Sequence, residues 1–276
     1  MSETIAPVRI ARYLGQDGEI LEGVVLGEED DFINISRYSN IQIQEVSGLD
    51  AMLRGGRRIG SARPLSEVQL VPFGLGRKIV LIGRNYGAHA KELGNEVPKE
   101  PLIFMKPTSA LVGHGQAIEL PRASKEVHHE AELAVVIGKR LRDAQADECA
   151  AAVAGVTCLN DVSARDIQRA EVQFTRAKSF DTFCPVGPWV RVGHDWRDLR
   201  VQCRVNGESR QDGRTRDQVF PVPTLLAFIS ACMTLEPGDI VSTGTPSGVG
   251  PFRAGDVVEI EVEGVGILRN PVRARE

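Results

Sequence analysis

The chain has 276 residues, 42% hydrophobic and 25% charged, with a net charge of −4. That is the make-up of an ordinary globular protein, with room for one large domain or a large domain and a small one. There is no Lys/Arg cluster, no apolar run near the ~20 residues that span a bilayer, and no basic-then-apolar leader at Met1–Pro7, so neither nucleic acid, a membrane nor secretion is expected.

The five cysteines (Cys149, Cys158, Cys184, Cys203, Cys232) are scattered and lack a Cys-x-x-Cys pair. An odd, unpatterned set fits reduced thiols in a cytoplasm and provides no zinc cluster. Residues 8–14 and 20–26, joined by Gln16-Asp17-Gly18, read as a hairpin. Glu28 to Asp31 reads as an acidic turn, Leu49 to Leu53 as a short helix stopped by Gly55-Gly56, and 64–72 as an extended connector. Residues 1–72 are therefore expected to form a small β-rich N-terminal module without chemistry of its own, and 73–276 the functional domain.

A short apolar strand, 78–83, opens the second part. In the helix expected over 88–93, His89 and Glu92 fall on one face. A carboxylate beside an imidazole orients the ring and raises its basicity, the arrangement of a general base. Short, and bounded by Gly94 and Pro98, this helix could serve as a lid. A strand follows at 102–106. His114 lies in a loop and reads as surface.

The sequence then reaches His128-His129-Glu130-Ala131-Glu132-Leu133 and an apolar run to Gly138. Strand residues two apart share a face, so Glu130 and Glu132 project together from a buried element. Two such carboxylates repel and lose solvation, and a hard divalent cation such as Mg²⁺ relieves both costs. At most one of His128 and His129 shares that face. His128 has the parity, and a structural role is expected for it.

Further on, 143–153 reads as a helix capped by Asp, and 156–159 as a strand ending in Asn160-Asp161. Ser163 to Asp166 reads as a capping box that starts a short helix. Asp166 thereby has a structural task, whereas Asp161, at a strand end before a helix, is free for a ligand. Gln168 falls on the helical face of Arg165. Lys178 lies in an expected polar loop. Asn206-Gly207 predicts a type I′ hairpin after 201–205. Thr224 is expected to cap an apolar helix. The glycine-rich loop 244–250 lacks a Walker lysine but can bring backbone N–H groups and Thr245 to a small anion. Glu259, Glu261 and Glu263 alternate with apolar residues and read as a solvated face. Strands outnumber helices throughout. The fold class expected is mostly β (α+β), a mixed-sheet roll or barrel with short helices at its mouth.

Together these motifs resemble the fumarylacetoacetate hydrolase family. The resemblance rests on Gly-Arg-Asn-Tyr at 83–86 with His89 and Glu92, Phe104-x-Lys106-Pro107, His129-Glu130-x-Glu132-Leu133, Asn160-Asp161-x-Ser163-Ala164-Arg165-Asp166, Lys178-Ser179-Phe180-Asp181 and Thr243-Gly244-Thr245-Pro246, in order over residues 78–251. It implies a β roll around Mg²⁺ or Mn²⁺ (with Ca²⁺ able to substitute), commonly in a homodimer. It also implies metal ligation by Glu130, Glu132 and Asp161, a water-activating dyad of His89 and Glu92, and substrate contacts from Lys178, Arg165, Gln168 and Thr245. The run from His89 to Gly94 looks closest to the acylpyruvase and oxaloacetate decarboxylase branch. The activity implied is metal-dependent hydrolysis of acylpyruvate-type 2,4-diketo acids through a metal-stabilised enolate, with oxaloacetate decarboxylation as a companion. The alternatives are isomerisation or decarboxylation of 2-hydroxydienedioates in aromatic catabolism, or a silent metal-binding member.

Overall fold

The run Ala131–Ile137 is buried at every position. A strand keeps both faces apolar when it has strands on both sides and layers above and below. That is where the computed structural model places it; residues 8–46, 58–74 and 77–275 are described. In chain order the strands are Val8–Leu14 (β1), Ile20–Leu26 (β2), Gln42–Glu45 (β3), Arg63–Pro64 (β4), Leu70–Val71 (β5), Ile79–Gly83 (β6), Leu102–Lys106 (β7), Leu111–Val112 (β8), Ile118–Leu120 (β9) and Val127–His129 (β10). They continue as Ala131–Ile137 (β11), Val153–Asn160 (β12), Ser163–Ala164 (β13), Cys184–Val192 (β14), Arg200–Val205 (β15), Glu208–Arg214 (β16), Ile240–Ser242 (β17), Gly250–Pro251 (β18), Val257–Val262 (β19) and Gly266–Ala274 (β20). The helices are Glu29–Phe32 (α1), Gly87–Glu92 (α2), Ala146–Ala151 (α3), Arg165–Ala170 (α4), Thr175–Lys178 (α5) and Val222–Cys232 (α6).

The main sheet runs β4-β3-β2-β1-β14-β12-β11-β17-β6-β7, mostly antiparallel, with β6 parallel to β17. It is a path with free ends at β4 and β7, so the mostly-β roll is open and does not close into a barrel. A second sheet, β16-β15-β19-β20-β9, turns Val201, Cys203, Val258, Ile260 and Val262 inward, into one core with Leu133, Val135 and Val156. A small third sheet, β13-β10-β18, carries the chain into β11. The strands of the first 72 residues continue the main sheet: β1 pairs antiparallel with β14, Val8 opposite Val192 and Ile10 opposite Val190.

Several local expectations are met. The hairpins β1–β2 and β15–β16 form, the latter with Asn206 and Gly207 at φ 53° and 81°, the signs a type I′ turn requires. Glu259 and Glu261 lie on the outer face of β19, paired with Arg204.

Others are corrected. The acidic turn is α1, closed by a capping box between Glu28 and Asp31. The cap of α3 is Gln145 with Glu148; Asp143 lies two residues earlier and takes a left-handed φ of 51°. Ser163 does not cap α4, since its Oγ donates to the Asp161 carbonyl at 2.9 Å. Asp166 does serve structure, accepting from Ser124 Oγ at 2.6 Å and Lys125 N at 2.8 Å. The N-cap of α6 is Pro221, with Pro223 in its first turn, where a missing N–H costs nothing. His114 is not free surface: its Nδ1 accepts the Arg269 N–H at 3.2 Å and its ring stacks near Tyr38. The helix expected at Leu49–Leu53 lies outside the described residues. All five cysteines are unpaired. Among the described residues, no helix is long and apolar enough to cross a membrane.

Candidate metal centre and active site

Three strand ends converge here. Glu130 sits in the break between β10 and β11, Glu132 is the second residue of β11, and Asp161 follows the last residue of β12. Register holds them together: Ala131 pairs with Asn160 and Glu132 with Leu159. The Asp161 N–H donates to the Glu130 carbonyl at 2.9 Å, and the Glu130 N–H to Asn160 Oδ1 at 3.0 Å. One oxygen from each of Glu130, Glu132 and Asp161 lies within 4.8 Å of the others, and all three side chains are buried.

Cations and donors surround this triad. Lys178, which lies at the buried end of α5 and not in a polar loop, donates from Nζ to Glu130 Oε2 at 2.8 Å and Asp161 Oδ2 at 2.5 Å. Arg165 donates from Nη2 to Glu130 Oε1 and from Nη1 to Gln168 Oε1 at 2.7 Å. Glu132 Oε2 accepts from Ser242 Oγ and from the Gly244 N–H at 3.1 Å. Behind Asp161, Lys106 Nζ stands 2.7 Å from Oδ1, while its hydrogen bonds go to the carbonyls of Val162 at 2.9 Å and Phe183 at 2.5 Å.

The electrostatics divide the acids. Burial pushes the Glu130 carboxyl up, but Arg165 and Lys178 outweigh it and hold the group well below its usual range. Glu132 goes well above it, driven by burial and by repulsion from Asp161 and Glu130. Burial alone would depress the Lys178 ammonium, yet Asp161 and Glu130 keep it raised.

These residues fit a hard divalent cation. The donor set is all oxygen, the Asp161 Oδ1 lacks a directed hydrogen bond, and Glu132 is a buried carboxylate on which repulsion from Asp161 and Glu130 outweighs the attraction of Lys178.

His89 on α2 is buried, and its Nδ1 meets Glu92 Oε2 at 3.3 Å. Glu92 also accepts the Gly248 N–H, at 3.0 Å on Oε1 and 3.2 Å on Oε2, which ties α2 to the glycine-rich loop. Of the nine residues singled out from sequence, eight line one cavity of about 280 Å³: His89, Glu130, Glu132, Asp161, Arg165, Gln168, Lys178 and Thr245. Glu92 stands behind His89. Thr245 contributes to the wall, with its hydroxyl donating to the Ala131 carbonyl at 2.8 Å and accepting from Gln211 at 2.7 Å.

Neither histidine of the pair at 128–129 joins the triad. His128 meets Glu126 at 3.2 Å. His129 is buried against Gln211 Oε1 at 2.9 Å, and burial pushes its imidazole down to about 4. Gln211 also accepts the Ala131 N–H at 2.9 Å, so it aligns the start of β11. Sequence reasoning assigned no role to Gln211, Ser242 or Lys106. Only the ending of an apolar strand in Lys106-Pro107 hinted at one of them.

Residues 78–273 match the model of the fumarylacetoacetate (FAA) hydrolase C-terminal family. The human oxaloacetate tautomerase FAHD2A, mitochondrial, is 44% identical over 271 residues, 91% of this chain and 86% of its own. The oxaloacetate decarboxylase, mitochondrial, of Dictyostelium discoideum is 44% identical over 197 residues, 69% of this chain and 90% of its own. The crystal structure of 2-hydroxyhepta-2,4-diene-1,7-dioate isomerase from Mycobacterium marinum superposes with a TM-score of 0.86 at 39% identity, covering 97% of this chain and 99% of that one. With a family match across most of its length and relatives this similar, the chain belongs to the fumarylacetoacetate hydrolase family.

Proposed function

We propose that this chain is a divalent-metal-dependent enzyme that enolises 2-keto acids, and that on acylpyruvate-type 2,4-diketo acids it goes on to break the C–C bond with water. The observation that carries this reading is the buried triad Glu130–Glu132–Asp161 facing Lys178 and His89 across one cavity. Mg²⁺ or Mn²⁺ held by the triad would supply a Lewis acid for the oxygen on which negative charge develops. Lys178 places a fixed ammonium beside that position; a preorganised charge of this kind is worth about 3 kcal/mol in a dry site. Arg165 keeps Gln168 turned by its carbonyl oxygen, leaving the amide NH₂ as a donor to substrate. Since Glu92 holds Nδ1 of His89, Nε2 is the atom left to accept a proton from water or from substrate carbon.

The names of two relatives support the enolisation step, because tautomerising and decarboxylating oxaloacetate both place charge on the same keto oxygen. The His89–Glu92 dyad supports hydrolysis, which needs an activated water where decarboxylation does not. Isomerisation of a 2-hydroxydienedioate is a second reading, favoured by the likeness to the mycobacterial isomerase.

The test is turnover by chelator-stripped protein before and after adding Mg²⁺ or Mn²⁺, with products identified by NMR. Acetylpyruvate giving pyruvate and acetate only with metal supports the full reading. Metal-dependent enolisation or decarboxylation of oxaloacetate without hydrolysis removes the hydrolase half. Turnover of the dienedioate alone favours the isomerase.

A further inference from the structure

Four cations line the cavity, and three have carboxylate partners, two of them in the wall. Arg165 meets Glu130, Lys178 meets Glu130 and Asp161, and Arg169 turns outward to Glu126. The fourth, Arg84, is half-buried and makes no hydrogen bond or ion pair with any described residue. Among the described residues, the wall's acids are the triad alone, so no carboxylate is left for it.

Arg84 is also held in place. Its φ of 58° is left-handed, a conformation that persists in a non-glycine residue when the surroundings impose it. The next residue imposes it. Asn85 is fully buried; its Nδ2 donates to the carbonyls of Phe220 at 3.0 Å and Thr243 at 2.8 Å, and its Oδ1 accepts the Phe220 N–H at 2.8 Å. Gly244, at φ 94°, permits this approach, since a Cβ there would stand 2.8 Å from that of Asn85. The chain is thus pinned between β6 and α2, with an unpaired guanidinium on the cavity wall.

We propose that Arg84 is a specificity residue that binds the second carboxylate of a dicarboxylic 2-keto acid. This rests on the reading above, in which the keto-acid end lies against the triad and Lys178. A guanidinium presents paired donors matched to a carboxylate, and such charge-assisted bonds are the strong ones. A neutral tail, as in acetylpyruvate, leaves Arg84 unpaired; a distal carboxylate meets it. The substrate class is thereby narrowed to 2-keto acids with a second carboxylate, whether oxaloacetate, a dienedioate or an acylpyruvate with an acidic tail.

Two unreactive ligands isolate this contact. Malate and 2-hydroxybutanoate share the carboxylate and hydroxyl of the keto-acid end, and only malate has the second carboxylate. Titration calorimetry on the full chain with Mg²⁺ should show malate binding at least about tenfold tighter. Arg84→Met should abolish that difference while leaving 2-hydroxybutanoate within about twofold of wild type, and Arg84→Lys should restore part of it. Circular dichroism of each variant confirms the fold. Malate binding no tighter than 2-hydroxybutanoate in wild type, or an unchanged preference in Arg84→Met, overturns the proposal. Failure of malate to bind wild type also overturns it. An Arg84-dependent preference for malate in a protein that turns over no 2-keto acid keeps the subsite and removes the reaction. Turnover of acetylpyruvate without that preference does the reverse.

Discussion

Lys106 and Asp161 form an ion pair at 2.7 Å in which the two side chains are 0% and 1% exposed. Lys106 comes from β7, the free edge of the main sheet, and it fastens that edge to the centre of the site. Removing one member of a buried pair leaves the other charge unsolvated, at a cost of about 3–5 kcal/mol. Lys106→Met should therefore lower the stability of the metal-free protein by several kcal/mol in urea denaturation, the more so because two buried carbonyls lose their donor. A loss under about 1 kcal/mol would mean that Lys178 alone satisfies Asp161.

Glu132→Gln should separate folding from metal binding. Ser242 and Gly244 both donate to one oxygen of Glu132, and a glutamine carbonyl can accept both. The substitution also removes the repulsion from Asp161 and Glu130. The metal-free variant should melt no lower than wild type, while the rise in Tm on adding Mg²⁺ should disappear together with activity. Scanning calorimetry with and without Mg²⁺ reads both effects. A retained metal-induced shift would take Glu132 out of the ligand set.

His89→Ala should lower hydrolysis of acetylpyruvate by about 10² to 10⁴-fold and spare oxaloacetate decarboxylation, which needs no base. Parallel assays of the two reactions decide it. Equal loss in both would make His89 a group that positions substrate.

Acid stability should depend on His114. Burial, then the charge of Arg269, pushes its imidazole down to about 4. The unfolded chain takes up this proton from about pH 6.5, the folded chain only near pH 4. The resulting stabilisation is complete above pH 6.5 and is lost as pH falls towards 4. His114→Asn keeps an acceptor for the Arg269 N–H without a titrating ring. Its stability should fall less steeply than that of wild type between pH 6.5 and 4, as measured by denaturation at a series of pH values.

Much of the site could be read from local pattern. Glu130 and Glu132 announce themselves because the strand period of two throws both to one side of a run otherwise apolar. Gln168 follows from helical spacing to Arg165, and the Asn206-Gly207 turn from the positive φ both residues tolerate. Caps were less legible. Ser163 and Thr224 have the right chemistry for caps, but one hydroxyl is drawn to the Asp161 carbonyl and a proline starts the other helix. Lys178 reads as polar loop because its neighbours are polar, and only the converging acids show why an ammonium is buried there. Lys106 and Gln211 act across gaps of tens of residues, and no local spacing encodes such partners.

The bond between Glu92 and the Gly248 N–H joins positions 156 residues apart. Glu92 is also the residue that orients His89. If α2 swings away to admit substrate, Glu92 leaves Gly248, and the shelter over the cavity and the alignment of the imidazole are disturbed together. His89 and Glu92 ride on the same helix, so closing the cavity and bringing the imidazole up to the acidic triad are then one event.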